Sequence, residues 1–482
     1  GVRGRRVSCK QLTYLFIYGS IALSGLPARE EFMKIKVRRR MSVWRFLALG
    51  YFILILFGAF LLTLPVSSQS GEWTHFVDAL FTATSATCVT GLTPVVTGVH
   101  WNLFGQIVII CLIQTGGLGF TTFVTLIFMA IKGRGIGLYA RTAMVQSVGG
   151  SGVTDVKKLV RRILIGTLVI ELVGALLLMI RFIPDFGAIG IYYGIYHAVS
   201  AFCNAGFDII GLDGQSLMDY ATDPLVSLVI CGLIIVGGLG FFVWGDIYDC
   251  KCNPKKFQFY TRMALVGTAI LLVAGTFLFL LFERNNPYYA DYNFGEKLLC
   301  SFFNATTART AGYFTTPPES LSNSGCLLMI ILMFIGACSG STGGGIKVST
   351  FTVIMVGMVA VMRGKKDITI GRRRIDHSLM GQALAIFAAY LSLVMAATLI
   401  INTIEPDEVA SFSAVMFEVV SALGTVGLSM ALTPTLGIAS KLILTLLMYL
   451  GRVGVITFAL ALKRAKKSEA AVRRPVDNVF IG

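Results

Sequence analysis

Phe81-Thr-Ala-Thr-Ser85-Ala-Thr-Cys-Val-Thr-Gly91-Leu92 has three counterparts further along the chain. They are Tyr196-His-Ala-Val-Ser200-Ala-Phe-Cys-Asn-Ala-Gly206-Phe207, Phe302-Phe-Asn-Ala-Thr306-Thr-Ala-Arg-Thr-Ala-Gly312-Tyr313 and Phe417-Glu-Val-Val-Ser421-Ala-Leu-Gly-Thr-Val-Gly427-Leu428. Each places an aromatic, then Ser or Thr four residues on, then Gly six after that. The glycines are 115, 106 and 115 residues apart. Each copy lies between two long apolar runs, so the chain reads as four repeats of apolar span, short helix, Gly loop and apolar span.

The runs set the fold class. Of 482 residues 55% are hydrophobic, and the mean hydropathy is +0.77. Uncharged stretches at 46–65, 102–131, 225–245, 264–282 and 378–404 are each about long enough to cross some 30 Å of hydrocarbon as a helix. The expected fold is an all-α membrane protein. Outer helices are expected at 44–64, 162–183, 261–282 and 378–404, and short helices at 75–87, 192–202, 294–308 and 411–423. The loops are expected at 88–92, 203–207, 309–313 and 424–428, and inner helices at 102–131, 224–248, 324–362 and 439–463. That makes eight spans and four re-entrant half-helices. The repeats occupy 42–132, 157–249, 257–363 and 375–464, between a basic amino-terminal segment, 1–41, and a tail, 465–482.

A net charge of +16 could suggest nucleic acid, but its placement points to a membrane. Of 41 Lys and Arg, 34 fall in segments 1–45, 131–162, 249–262, 362–377 and 463–482. These alternate with connectors carrying Asp208, Asp213, Asp219, Asp223, Asp291, Glu405 and Glu408. Basic loops stay cytoplasmic, which puts both termini inside, and no nucleic-acid partner is expected. Anionic lipid is the partner such a face meets by default. An acidic outer face would concentrate cations. Ten Cys show no disulfide framework, and the Cys250-Lys-Cys252 pair lacks the second pair that zinc needs. Segment 11–26 is weakly apolar and short for a span, and Met33 opens a basic run; residues 1–32 read as upstream or mobile sequence.

Replacing an ion's hydration shell with backbone carbonyls needs dihedrals that Gly adopts cheaply, hence one Gly per loop. The candidate ion-binding residues are Cys88, Val89, Thr90 and Gly91; Cys203, Asn204, Ala205 and Gly206; Arg309, Thr310, Ala311 and Gly312; and Gly424, Thr425, Val426 and Gly427. The ion is expected on their backbone carbonyls alone. The carboxyl ends of the short helices would add negative potential.

A second alignment lies on the inner helices. Gly116-Gly-Leu-Gly119, Gly237-Gly-Leu-Gly240, Gly336-Ala-Cys-Ser339 and Gly451-Arg-Val-Gly454 follow the loop glycines by 25, 31, 24 and 24 residues. Close helix packing explains three of them. The fourth carries Arg452, a costly intramembrane charge expected below the loops. The third continues through Gly340, Ser341, Thr342, Gly343, Gly344 and Gly345 to Lys347. Intramembrane loop 336–347 is therefore a candidate gate, containing Gly336, Ser339 and Lys347, with Arg452 facing it. Arg309 and Glu418 could pair behind the loops; Glu171 has no evident partner. Asp246 reads as a solvated or capping charge at the cytoplasmic end. No nucleophile and base occur together, so an enzyme is not expected.

Together these residues resemble the Trk/Ktr/HKT superfamily of potassium transporters, and within it the bacterial Ktr membrane subunits. The resemblance covers about residues 42–482. It is carried by Ser85–Leu92, Phe104-Gly-Gln106, Ile113–Phe120, Asn204-Ala-Gly-Phe207, Arg309-Thr-Ala-Gly312, Gly424–Leu428, Gly451-Arg-Val-Gly454 and the tail Asp477-Asn-Val-Phe-Ile-Gly482. It implies potassium (K+) uptake across the plasma membrane without an organic cofactor in this chain, a homodimer, and a cytosolic nucleotide-binding ring of the RCK type (KtrA/TrkA-like). It also implies pseudo-fourfold symmetry around one pore per subunit, and that loop 336–347 gates and Arg452 sits under the filter. Gly91, where sodium-favouring plant relatives carry Ser, favours potassium. The run Gly343-Gly-Gly345 is richer in Gly than such a subunit implies. Coupling to Na+ stays open. The alternative class is a secondary cation symporter with broken helices, which would account for Glu171.

Overall fold

A computed structural model describes residues 43–119, 156–211, 215–365, 367–371, 373–406, 408 and 410–462. Contacts divide the chain into Gly1–Ser42 and Val43–Gly482. Segments 1–41 and 465–482, residues 120–131 of the expected first inner helix and 131–155 of the basic loop after it lie outside the described residues.

Among the described residues, four helices are long and apolar enough to cross a membrane: Trp44–Thr63, Val160–Phe186, Phe259–Phe282 and His377–Ile404. They belong to α1 (Val43–Thr63), α4 (Val156–Phe186), α8 (Phe259–Phe282) and α12 (His377–Ile404). Each leaves large apolar side chains outside, such as Phe57 and Phe60, Leu168 and Leu172, Val273 and Phe277, and Leu399. Such continuous apolar exposure suits hydrocarbon and not water.

Each long helix packs against the short helix that follows it. The short helices are α2 (Phe76–Cys88), α5 (Ile189–Phe202), α9 (Phe294–Thr307) and α13 (Phe412–Gly424). All lie within two or three residues of their expected bounds. Cys88 and Gly424, expected in the loops, are the last helical residues of α2 and α13. Asn293 and Glu296 start α9 with a reciprocal capping box, and the Ser411 hydroxyl accepts the Ala414 N–H.

The inner helices differ most from the sequence reading. α3 (Leu103–Leu118), α6 (Pro224–Leu239) and α14 (Ile438–Val453) each run 16 residues, about 24 Å, and then break. The breaks fall at Gly119, Gly240 and Gly454, whose φ values of 85°, 94° and 89° leave the helical region. α7 (Phe241–Asp249) leaves α6 at 88°, and α15 (Val455–Leu462) follows Gly454. The third inner segment is interrupted, as expected, between α10 (Asn323–Phe334) and α11 (Val348–Met362). A small hairpin, β1 (Ile368–Ile370) with β2 (Arg373–Ile375), closes the end of α11.

The inner helices also tie the segments together in a cycle. α3 packs on α2 and on α5; α6 on α5 and on α9; α10 on α9 and on α13; α14 on α13 and on α2. Every inner helix thus touches its own short helix and the next one, and the fourth returns to the first. The short helices are accordingly the most buried elements, with Phe81, Tyr196, Phe303 and Phe417 at most 1% exposed.

Candidate functional site

The carboxyl ends of α2, α5, α9 and α13 converge, and each is followed by a loop of the same conformation. Val89, Asn204, Thr310 and Thr425, each two residues before the loop Gly, have φ of 58°, 61°, 68° and 51°. Gly91, Gly206, Gly312 and Gly427 have φ of 103°, 69°, 81° and 95°. Positive φ is uncommon outside Gly and costly for a β-branched residue. Three of these four non-Gly residues are β-branched, so their surroundings must hold them there. They do so with backbone hydrogen bonds. The amides of Thr90, Ala205 and Val426 each donate to the serine carbonyl five residues back, Ser85, Ser200 and Ser421, at 2.8 Å. Ala311 N donates to Thr307 O at 3.0 Å.

The repeated hydroxyl now has a function. Ser85 Oγ accepts the Gly91 N–H at 3.0 Å, and Ser421 Oγ accepts the Gly427 N–H at 3.0 Å. Ser200 Oγ accepts the Phe207 N–H at 3.1 Å and donates to Phe207 O at 3.0 Å. In the third repeat the register slips by one. Thr306 Oγ1 is spent on Phe302 O inside its own helix, and Thr307 Oγ1 donates to Tyr313 O.

The four loops meet as a closed cycle. A Cβ placed on Gly91 would stand 2.5 Å from Ala205 O, one on Gly206 2.5 Å from Ala311 O, and one on Gly312 2.7 Å from Val426 O. A Cβ on Gly427 would collide with Thr90 O. Each glycine therefore lies against the carbonyl that precedes the next loop's glycine. Thr90, Ala205, Ala311 and Val426 are fully buried. The sequence-derived loop residues are thus assembled by their backbone. Arg309 is the exception among them: its side chain leaves the ring, and one guanidinium nitrogen donates to Thr268 Oγ1 at 3.3 Å.

The inner-helix glycines serve the same assembly. A Cβ on Gly116, Gly237 or Gly451 would overlap Thr87 O, Phe202 O or Leu423 O, each in the last turn of the short helix of its own repeat. In the third repeat Gly336 lies instead against Gly344 O of the interrupting loop. That loop is pinned under the ring. Cys338 N donates to Gly238 O at 3.0 Å, and Phe241 N to Gly340 O at 2.9 Å. Thr342 Oγ1 donates to Phe202 O at 3.3 Å, and Tyr260 OH to Ser339 O at 2.9 Å. The Ser339 hydroxyl shares a 3.2 Å hydrogen bond with that of Ser349, and Ser341 Oγ donates to Cys338 O at 2.6 Å. Gly343 and Gly344 approach Thr310 and Thr425 so closely that a Cβ on either would meet the threonine hydroxyl. Lys347 Nζ donates to Gly343 O at 2.7 Å and Gly344 O at 3.2 Å. Arg452 donates to Thr342 O and Gly116 O.

Two cavities flank the ring and carry opposite charge. One, of about 280 Å³, is lined by all four loop glycines together with Asp208 and Glu319. The other, of about 310 Å³, is lined by loop 336–347 residues together with Lys347 and Arg452. A cation is favoured in the first and disfavoured in the second.

Two expectations about buried charge change, and a third is narrowed. Arg309 and Glu418 make no ion pair with each other among the described residues. Glu418 accepts from the hydroxyls of Ser429 and Thr433, neutral donors nearer to hand than the arginine. Glu171 accepts from Gln114 Nε2 at 3.1 Å, and Arg452 is satisfied by carbonyls, not by Glu171. Of the two readings of Asp246 the capping one holds: it is buried and accepts the Gln258 N–H at 2.9 Å at the start of α8. No grouping of His, Cys, Asp and Glu suited to a metal occurs among the described residues.

Sequence reasoning missed the pair behind the second loop. His197 Nε2 lies 2.6 Å from Asp208 Oδ1, and Nδ1 lies 2.8 Å from Tyr193 O. Asp208 also accepts the N–H groups of Ile210 at 2.9 Å and Gly211 at 2.8 Å. The pair exists in one repeat only, so comparing repeats gives no signal for it.

The model of the TrkH family, described as cation transport protein, matches residues 54–474. The chain is 43% identical over 453 residues to the potassium/sodium uptake protein NtpJ of Enterococcus hirae, covering 93% of this chain and 99% of that protein. It is 41% identical over 439 residues to the Ktr system potassium uptake protein B of Bacillus subtilis, covering 90% and 96%. Among solved structures, the potassium transporter TrkH from Vibrio parahaemolyticus superposes with a TM-score of 0.66 at 19% identity, covering 94% of this chain and 90% of that one. That likeness speaks to the fold.

Proposed function

Because the chain belongs to the TrkH family of cation transport proteins, we propose that it takes up potassium through the ring of Gly91, Gly206, Gly312 and Gly427. Its family makes it a transporter and not an enzyme. The observation that carries the reading is the closed cycle in which each loop glycine lies against the next loop's carbonyl. Four backbone strands held this close supply oxygen ligands in place of water, and the fixed geometry sets which ion they fit. The carboxyl ends of α2, α5, α9 and α13 add their negative dipole ends behind the loops. Asp208 and Glu319 draw the cation to one mouth, and loop 336–347 with Lys347 and Arg452 obstructs the other.

The same reading holds the finer architecture. Eight spans and four re-entrant half-helices surround one pore with pseudo-fourfold symmetry, the inner spans being broken helices. The cycle of helix contacts supports it. Both termini and the basic loops face the cytoplasm of a cell whose plasma membrane holds a homodimer. An RCK-type ring (KtrA/TrkA-like) docks there and acts on loop 336–347. The relative named a potassium/sodium uptake protein supports sodium as a second ion. The experiment is flux into proteoliposomes under separate K+ and Na+ gradients. A potassium current without a second ion supports a channel-like ring. The competing symporter reading draws on the breaks at Gly240 and Gly454 and on buried Glu171; it requires obligatory co-transport at fixed stoichiometry.

A further inference from the structure

On the lipid-facing side of the molecule α8 and α11 diverge above the β1–β2 hairpin. They leave a groove of about 850 Å³ that takes no part in the ring or in the two cavities flanking it. Its wall is apolar, with Val266, Ile270, Phe351 and Met355 among the lining residues. Gly267 deepens the floor, since a Cβ there would stand 2.7 Å from Val348 Cγ1. One end differs from the rest. There two arginines, Arg262 and Arg373, line the groove beside Phe257 and Phe259.

Neither arginine has a carboxylate partner among the described residues, though other arginines do. Arg374 pairs with Asp367 at 3.0 Å and Arg162 with Asp249 at 3.0 Å. Arg262 donates from one nitrogen to Lys255 O at 2.6 Å, leaving most of its five N–H donors free. Arg373 stands over the Phe259 ring at 5.9 Å, which orients its guanidinium without neutralising it. Arg, Phe and an adjoining Lys255–Lys256 pair at the start of a spanning helix mark the depth of lipid headgroups.

We propose that this groove binds an anionic phospholipid, its phosphate between Arg262 and Arg373 and an acyl chain along Ile270 and Met355. The charge of the rim selects the headgroup, and the apolar wall selects a molecule with a tail over free phosphate. The bound lipid would wedge α8 against α11, the helix directly after loop 336–347. The lipid thus becomes a structural member on the one inner segment that is interrupted by a loop. This inference stands on the groove and its unpaired charges, and does not depend on which ion the ring takes.

The test uses the full chain, purified in detergent and delipidated, then offered phosphatidylglycerol or phosphatidylcholine and weighed by native mass spectrometry. Retention of phosphatidylglycerol over phosphatidylcholine is expected. It should weaken about 30-fold in the Arg262→Gln/Arg373→Gln double variant, since each basic residue at an anionic surface contributes about a factor of five. Ile270→Trp, which fills the groove and keeps both charges, should lose the lipid as well. Excess inorganic phosphate should not displace it. Equal retention of the two lipids, or equal retention by wild type and both variants, overturns the proposal. So does a doubling of mass by light scattering that Ile270→Trp abolishes, because a second copy of the chain would then fill the groove.

Discussion

Arg452, on the fourth inner helix, donates to the carbonyl oxygen of Thr342 in the loop that interrupts the third. The same guanidinium reaches Gly116 O on the first. One side chain thus bridges three of the four segments directly below the ring. It stands where the other repeats carry Gly117, Gly238 and Ala337.

Arg452→Gln should raise potassium flux, since it removes the cation below the ring and one latch on the loop together. A several-fold increase is expected, 1.4 kcal/mol of barrier corresponding to about tenfold. Flux in proteoliposomes checks this, with size-exclusion elution reporting the fold. A folded variant that conducts no faster than wild type makes the arginine a structural strut.

Deleting residues 340–345 should raise flux further and reduce the effect of the Arg452 substitution to that of its charge. The arginine would have lost its partner Thr342 and Lys347 its partners Gly343 and Gly344. Independent, additive effects of the deletion and Arg452→Gln would show that they act through separate obstacles.

Gly427→Ser and Gly91→Ser should both weaken potassium preference, Gly427→Ser more severely. At Gly427 the new Cβ collides with Thr90 O, while at Gly91 it stands 2.5 Å from Ala205 O; both positions also need a left-handed φ. A selectivity loss of about tenfold corresponds to about 1.4 kcal/mol, within the strain expected of a non-Gly residue there. Uptake kinetics in a transport-deficient strain would read it as a raised KM for potassium. An unchanged KM in both variants would remove these glycines from the ion path.

Ser85→Ala and Ser421→Ala leave the Gly91 and Gly427 amides without their acceptors. Each should cost about 1–3 kcal/mol, the penalty for a buried unpaired donor. Thr306→Ala should cost less, because Thr307 and not Thr306 serves the third loop. Thermal unfolding in detergent compares the three, and equal losses would contradict the shifted register.

The mouth lined by Asp208 should be acid-sensitive. Burial pushes its carboxyl up. The hydrogen bond and charge of His197 and the Ile210 and Gly211 N–H groups outweigh this and hold it below the ordinary carboxylate range. A carboxylate with a depressed folded pKa stabilises fully above its unfolded value, about 3.9, and loses that contribution as pH falls through the folded value. His197→Gln removes that hydrogen bond and charge and leaves the burial, so the folded carboxyl rises; the variant should be less stable at neutral pH and should lose less stability as pH falls. Melting temperatures should differ most at neutral pH and converge as pH falls below about 4. Parallel profiles would mean that His197 does not hold Asp208.

The placement of the four loops was legible because aromatic, hydroxyl and glycine recur at one spacing between apolar runs. Their local conformation was not. Val89, Thr310 and Thr425 are residues that ordinarily argue against a left-handed backbone, and only the assembled ring reveals why they accept it. Gly119, Gly240 and Gly454 looked like packing glycines, since membrane helices are rich in Gly; whether a helix continues through one depends on what lies beneath it. Gly116, Gly237 and Gly451 are the packing glycines, seated on last-turn carbonyls that no sequence pattern displays. Arg309 and Glu418 showed a charge match, but charge alone does not reveal that hydroxyls lie nearer.

The cycle of loops is written in a single polypeptide, and its corresponding positions hold different residues: Val89, Asn204, Thr310 and Thr425 at one level, Thr90, Ala205, Ala311 and Val426 at the next. In a ring of four identical chains every substitution strikes the wall four times at once, so only changes tolerable in quadruplicate survive. Here one codon alters one quarter of the wall. Such a ring can be tuned in small steps, and one quadrant can take on a duty that would be ruinous if all four shared it. Arg452, present once, is a residue that only this kind of wall can carry.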